Sequence, residues 1–176
     1  MAGPELRTDI VDVYVFRRST KGGAPAHGVQ FLQLRRVGGA LDKTWQPVMG
    51  HIQPNETATR AALRELHEET RYARGHGLIG FWQLETVNTY FLAAKDVVML
   101  SPCFAAEVEP GVVPCLNREH DAARWVPRDR VDQAFLWPGQ RAALQEVVRD
   151  ILANPRDAAP SVADRLRIDL DQTGFA

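Results

Sequence analysis

Residues Gly50–Tyr72 read GHIQPNETATRAALRELHEETRY, and no other stretch constrains the chain as strongly. Wound as a helix, Thr57–Thr70 places Glu65, Glu68 and Glu69 at i, i+3 and i+4, so three carboxylates share one face. Like charges at that spacing repel and weaken an isolated helix. Leu63 and Leu66 fall on another side of the helix, giving it an apolar face for a sheet and an acidic face for a cleft. Converging carboxylate oxygens suit a hard divalent cation such as Mg²⁺ or Mn²⁺, which would relieve the repulsion. Taken alone, the same spacing also describes an ordinary solvated Glu-rich surface.

The flanking segments set the fold class. Thr8–Arg17 alternates apolar and polar residues and predicts a strand; Val29–Arg36 (VQFLQLRR) alternates again and should pair with it as a hairpin across the Ser19–Gly28 loop. Val37–Lys43 reads as a loop and Trp45–Met49 as a short strand leading into Gly50. Pro54-Asn55 suits a turn that starts a helix over about Glu56–Arg71. Beyond it, Leu78–Thr86, Tyr90–Ala94, Asp96–Val108 and Ala122–Val126 read as strands, with Pro102 expected to mark a bulge or an edge. Gly139–Asn154 carries helical periodicity behind Pro138, and Ser161–Leu170 could form a short amphipathic helix. Strands before and after a central helix, followed by a last helix, imply an α/β domain with a mixed sheet and helices on both faces.

With 176 residues and 45% hydrophobic content, the chain is long enough for one domain with a sizeable core. We expect a single domain over 1–176, with its core at about 8–154 and a C-terminal extension at 155–176. A net charge of −1 without a basic run gives nothing for a nucleic acid to bind. No apolar run is long enough to span a bilayer, and MAGPELRTD lacks a secretory pattern, so a cytoplasmic protein is expected, with no membrane partner. Cys103 and Cys115, without nearby His pairs, do not make a zinc site and are expected as reduced thiols.

Gly50, five residues, Glu56, seven residues and then Arg64-Glu65-Leu66-x-Glu68-Glu69 match the Nudix box, G-x5-E-x7-R-E-U-x-E-E-x-G-U, where U is a bulky apolar residue. On these residues the chain resembles the Nudix hydrolase family. One position departs: Arg71 stands at the second glycine, so the helix is expected to end later, near Gly75 or Gly77. The resemblance implies a Nudix-type α/β/α sandwich with the box helix on one sheet face and the C-terminal helix on the other. It implies Mg²⁺- or Mn²⁺-dependent hydrolysis of a pyrophosphate linkage. Glu65, Glu68 and Glu69 would then be metal ligands, joined by the Gly50 carbonyl; Glu65 or Glu68 could instead act on the attacking water. Arg64 would pair with Glu56 and Glu68 and hold the carboxylates in register. Glu119, in the loop NREHDAARW, would add a carboxylate to the metal or the water, with His120 ranked below it.

Trp45–Gly50, Glu119-His120 and Leu136–Arg141 are similar in layout to the bacterial dihydroneopterin triphosphate/dATP pyrophosphohydrolase branch. Arg35, Arg36 and Lys43 are candidates to meet a triphosphate. Trp45 and Trp82 could stack on a heterocycle, although a Trp near strands is more often core, and Gln46 joins the substrate set beside Trp45. Tyr90, eighteen residues past the box, sits at an offset that the family associates with dinucleoside polyphosphate hydrolases. The leading expectation is a nucleoside or pterin triphosphate split into a monophosphate and pyrophosphate. The alternatives are a dinucleoside polyphosphate or nucleotide-sugar hydrolase, and a nucleotide-binding module without turnover. The expected partner is a small nucleotide-type di- or triphosphate, and the resemblance makes a homodimer an open expectation.

Overall fold

A computed structural model describes residues 3–18, 28–153 and 161–173. The loop expected over Ser19–Gly28 lies outside the described residues except for Gly28, as do parts of the C-terminal tail.

The strands are β1 (Glu5–Arg7), β2 (Ile10–Arg18), β3 (Val29–Arg36), β4 (Trp45–Gln46), β5 (Val48–His51), β6 (Ala73–Arg74), β7 (Gly77–Leu92), β8 (Val97–Val108) and β9 (His120–Pro127). The helices are α1 (Ala58–Thr70), α2 (Val131–Ala134), α3 (Pro138–Glu146) and α4 (Val162–Leu166). The strands form one mixed sheet. β2 and β3 pair as the predicted hairpin, but only over Phe16–Arg18 and Val29–Phe31. β9 occupies the other edge of β3 along Gln30–Arg36. Beyond the short hairpin contact β4 pairs with β3, while β5 pairs with β2 from Ile10 to Val13. The β4–β5 segment therefore fills a wedge where β2 and β3 part, which places Gly50 in the middle of the sheet. β8 runs parallel to β2 on its far side and carries β7 antiparallel beyond it.

Strand alternation divides the core in two. Val11, Val13, Val15, Leu32 and Leu34 face α1 and pack with Leu63 and Leu66. Tyr14, Phe16, Phe31 and Trp82 face the other way, toward Leu144 and Val147 of the C-terminal helix. Trp82 is thus a core residue, 6% exposed and 6.0 Å from the Phe16 ring, rather than a stacking platform for ligand.

Three boundaries differ from expectation. The segments predicted as separate strands at Leu78–Thr86 and Tyr90–Ala94 are one strand, β7, with a register shift between Gln83 and Val87. The shift lies opposite Pro102, and the Glu146 carboxylate accepts the Glu85 and Thr86 backbone N–H groups at 2.6 and 2.9 Å. An irregularity of this kind breaks the sequence period without ending the strand. The C-terminal helix is regular over Pro138–Glu146 and continues as a π-helix through Val147–Leu152. The expected tail helix is short, Val162–Leu166, and begins with a capping box between Ser161 and Asp164. Cys103 is a buried free thiol and Cys115 an exposed one.

Candidate active site

Helix α1 starts where Thr57 accepts the Arg60 N–H at 3.3 Å, and it ends at Arg71, whose N–H reaches the His67 carbonyl at 2.8 Å. Arg71 adopts the left-handed conformation, φ 64°. The helix therefore stops where the motif glycine would stop it, not near Gly75 or Gly77. An arginine takes up the glycine geometry, at a cost of roughly 1–2 kcal/mol.

Arg64 organises the polar face. Its Nε and Nη2 donate to the two Glu56 carboxylate oxygens, each at 2.9 Å. Nη1 donates to Glu65 at 2.7 Å and Glu68 at 3.3 Å, and Nη2 also reaches the His51 carbonyl at 2.8 Å. The fork-to-carboxylate pairing is with Glu56, whose other support is the Gln53 N–H at 3.0 Å. The Arg64 hydrogen bonds hold the Glu56 carboxyl below its ordinary range. One guanidinium thus ties the helix to the strand that carries Gly50.

Glu69 lies deepest, 2% exposed, and one of its carboxylate oxygens has no hydrogen-bond partner. Burial pushes its pKa well up, and the nearby charges of Glu65 and Glu119 push it further. Glu65 is raised too, first by burial, with Arg64 opposing and Glu68 and Glu119 reinforcing the shift. Glu65, Glu69 and Glu119 therefore repel one another at close quarters despite lying up to 54 residues apart in sequence. The Glu65 carboxyl occupies the space beside Gly50 where a side chain would start: a Cβ there would lie 2.0 Å from Glu65 Cδ. Among the described residues, no three acidic, His or Cys side chains are placed closely enough to hold a metal ion as they stand. The donor set nevertheless fits a hard divalent cation. It offers a buried oxygen lacking a partner, a carboxylate laid against a side-chain-free strand position, and mutual repulsion that a cation cancels.

Glu119 approaches from the loop before β9. Its N–H donates to Asn117 Oδ1 at 3.0 Å and its carbonyl accepts from the Val37 N–H at 2.8 Å. Its half-exposed side chain pairs with Arg36 at 3.3 Å. Arg36 thus faces the carboxylates, while its neighbour Arg35 points to the opposite side of β3.

The substrate candidates separate by face. Arg35 and Lys43 both bind Asp121, at 2.7 and 3.0 Å, and together draw its pKa down to about 2. Arg35 also lies 5.7 Å from the Trp45 ring. Trp45 and Gln46 are consecutive on β4, so they point to opposite faces. Trp45 joins the arginines, whereas Gln46 is buried on the α1 side and contacts His120 at 3.3 Å. Tyr90 is on β7, half-buried and near the charges of Asp9 and Asp12. It shares the Trp45 face but sits across β2 and β8 from it. Asp121 and Arg124 were missed from the sequence. The Arg124 guanidinium lies 4.2 Å from the Trp45 ring and donates twice to Gln33 Oε1, at 2.9 and 2.7 Å. Their only sequence signal is alternation along β9, which counts for little until the register against β3 is known. His120, ranked low as a lone loop histidine, is 4% exposed.

The NUDIX domain model matches residues 7–147. The chain belongs to the Nudix family. A curated relative, the asymmetrical bis(5'-nucleosyl)-tetraphosphatase of Sus scrofa, is 31% identical over 143 residues, covering 75% of this chain and 87% of that enzyme. Among solved structures, a Nudix hydrolase from Listeria monocytogenes is similar at a TM-score of 0.65 and 23% identity, covering 82% of this chain and 94% of that one. An Ap4A hydrolase from C. elegans is similar at a TM-score of 0.63 and 19% identity, covering 81% and 96% respectively. The sandwich expected from the box is thus the fold observed, and this Nudix protein is a pyrophosphohydrolase acting on phosphoric anhydrides. The relatives do not support the dihydroneopterin triphosphate branch, which the sequence layout had favoured. The short segments behind that resemblance lie outside the box and weigh less than identity spread over 143 residues. The family uses divalent metals. No helix among the described residues is long and apolar enough to cross a membrane.

Proposed function

We propose that this Nudix enzyme hydrolyses dinucleoside polyphosphates, cleaving a phosphoric anhydride to give two unequal nucleotides. The observation that carries the reading is its likeness to the asymmetrical tetraphosphatase across 87% of that enzyme's length. Among the basic candidates Arg36 is the one that lies on the face of Glu65, Glu69 and Glu119, where polyphosphate charge can compete with Glu119 for it.

Glu65, Glu68 and Glu69 would hold Mg²⁺ or Mn²⁺, with the Gly50 carbonyl completing the set and Glu119 entering from the loop. The chemistry such a cation supplies when bound is neutralisation of phosphoryl charge and activation of water. Arg64 keeps Glu65 and Glu68 in register while Glu56 orients Arg64. Glu119, half-exposed, is the carboxylate best placed to take the proton from the attacking water. Arg36 restrains Glu119 and adds positive charge beside it.

The test is a substrate panel with Mg²⁺ in which nucleotide products and pyrophosphate are measured separately. Diadenosine tetraphosphate should give adenosine triphosphate and adenosine monophosphate. Faster release of pyrophosphate from nucleoside or pterin triphosphates would restore the triphosphate reading, and absence of turnover with every substrate would favour a binding module.

A further inference from the structure

His120 is the least exposed titratable group in the Glu119 loop, and both its ring nitrogens are engaged. Nδ1 lies 3.3 Å from Asn117 Oδ1, and Nε2 lies 3.3 Å from Gln46 Nε2. The neighbours determine the hydrogen positions. The Glu119 N–H donates to Asn117 at 3.0 Å, so Asn117 presents its oxygen there. His120 must then donate from Nδ1, which leaves Nε2 to accept from the Gln46 amide. The neutral imidazole with its hydrogen on Nδ1 satisfies both ring contacts, while the buried Gln46 Oε1 on the far side of that amide has no hydrogen-bond partner.

These contacts connect two parts of the site that the chain supplies separately. Gln46 precedes Gly50 by four residues on the strand path into the carboxylate cradle, whereas Asn117 forms the turn that holds the Glu119 backbone. We infer that Gln46, His120 and Asn117 form a relay that sets where the Glu119 carboxylate stands relative to Gly50 and Glu65. His120 is a positioning residue in this scheme, since it touches Asn117 and Gln46 rather than substrate. The inference rests on the assignment of Glu119 to the reaction made above. It explains why a histidine is fully enclosed next to an exposed glutamate. It also accounts for Gln46, a substrate candidate by sequence that turns out to be 4% exposed on the face away from Trp45.

Three variants and two measurements test the relay. Hydrogen exchange of the Glu119 amide, read in metal-free protein, should accelerate at least about tenfold in His120→Ala, because the acceptor Asn117 loses its anchor. His120→Asn, which keeps a donor near the Nδ1 position, should restore most of the protection. With diadenosine tetraphosphate and Mg²⁺, His120→Ala should lower kcat by roughly 10- to 100-fold, the scale of a slightly misplaced group, with KM little changed. In a Glu119→Gln background the same substitution should cost little more, since the relay acts through Glu119. Unchanged exchange of the Glu119 amide in His120→Ala would overturn the relay, as would an equal loss of kcat with and without the Glu119 carboxylate. Parent-like turnover in Glu119→Gln would instead overturn the catalytic assignment of Glu119, and the exchange measurement would still decide whether the relay holds the loop.

Discussion

Glu69 and Asp12 are both carboxyls buried to within 3% of full enclosure, on opposite sides of one sheet, and each has an oxygen without a hydrogen-bond partner. Their surroundings differ. Glu69 faces other carboxylates, Glu65 and Glu119, and its pKa is raised by burial and by their charge. Asp12 faces neutral groups: the Asn88 amide donates to it, and the Ser101 and Tyr14 hydroxyls also stabilise its charge. Burial alone lifts Asp12, to about 6. Asn88 is itself gripped from above, because a Cβ on Gly139 would lie 2.5 Å from its Oδ1. A buried acid among neutral donors is a closed packing arrangement, while a buried acid among acids is an incomplete one that a cation completes. This difference is why we propose the α1 side as the reacting side.

The largest expected effect is on Glu65→Gln, which should reduce Mg²⁺-dependent turnover by roughly 100- to 1,000-fold, the scale of losing one electrostatic contributor at a reacting centre. Circular dichroism and thermal melting should show the fold retained; near-parent rates would break the contrast between the two sides. Asp12 should matter to stability instead. The unfolded chain releases this proton near pH 4 and the folded chain near 6, so the folded state holds the extra proton between them. Stability should therefore fall as pH rises through that window and stay lower above it, by about 3 kcal/mol. Asp12→Asn should flatten this slope in denaturant titrations while turnover stays close to the parent's. A Glu69→Gln variant should behave oppositely in one respect: Mn²⁺ binding measured by calorimetry should weaken by roughly 10-fold or more. In chelator its melting temperature should rise, because a repelled buried acid is gone. If Asp12→Asn weakened Mn²⁺ binding as much, the contrast would fail. The smallest effect is expected at Arg71→Gly, which relieves the left-handed arginine and should stabilise the protein by about 1 kcal/mol with kinetics unchanged.

Much of this was legible in the sequence. The box spacing placed Glu65, Glu68 and Glu69 on one helix face, and the role of Arg64 as a clamp on Glu56 followed from the geometry of a guanidinium against a carboxylate. Glu119 was put forward through the resemblance, because no local pattern marks a single loop glutamate, and the structure brings it near Glu65 and Glu69. Trp82 was left open between stacking and core, the commoner place for a Trp near strands, since strand alternation is ambiguous without knowing which face is covered; it is core. Gln46 was misplaced for the same reason: one residue along a strand reverses the face. The strand-and-helix reading ended α1 at about Arg71, as observed, whereas the missing motif glycine suggested a later end near Gly75 or Gly77, which the left-handed Arg71 rules out.

By itself, the sequence determined the reaction class and the local order of strands and helix, because these depend on spacings within a few turns of chain. Only the tertiary structure decided which residues from separate segments meet. The wedge of β4 and β5 between β2 and β3 brings Gly50 against Glu65, and the register of β9 on β3 carries Glu119 to the carboxylates and Arg124 to Trp45. Those contacts join residues tens of positions apart, and sheet pairing rather than local propensity sets them.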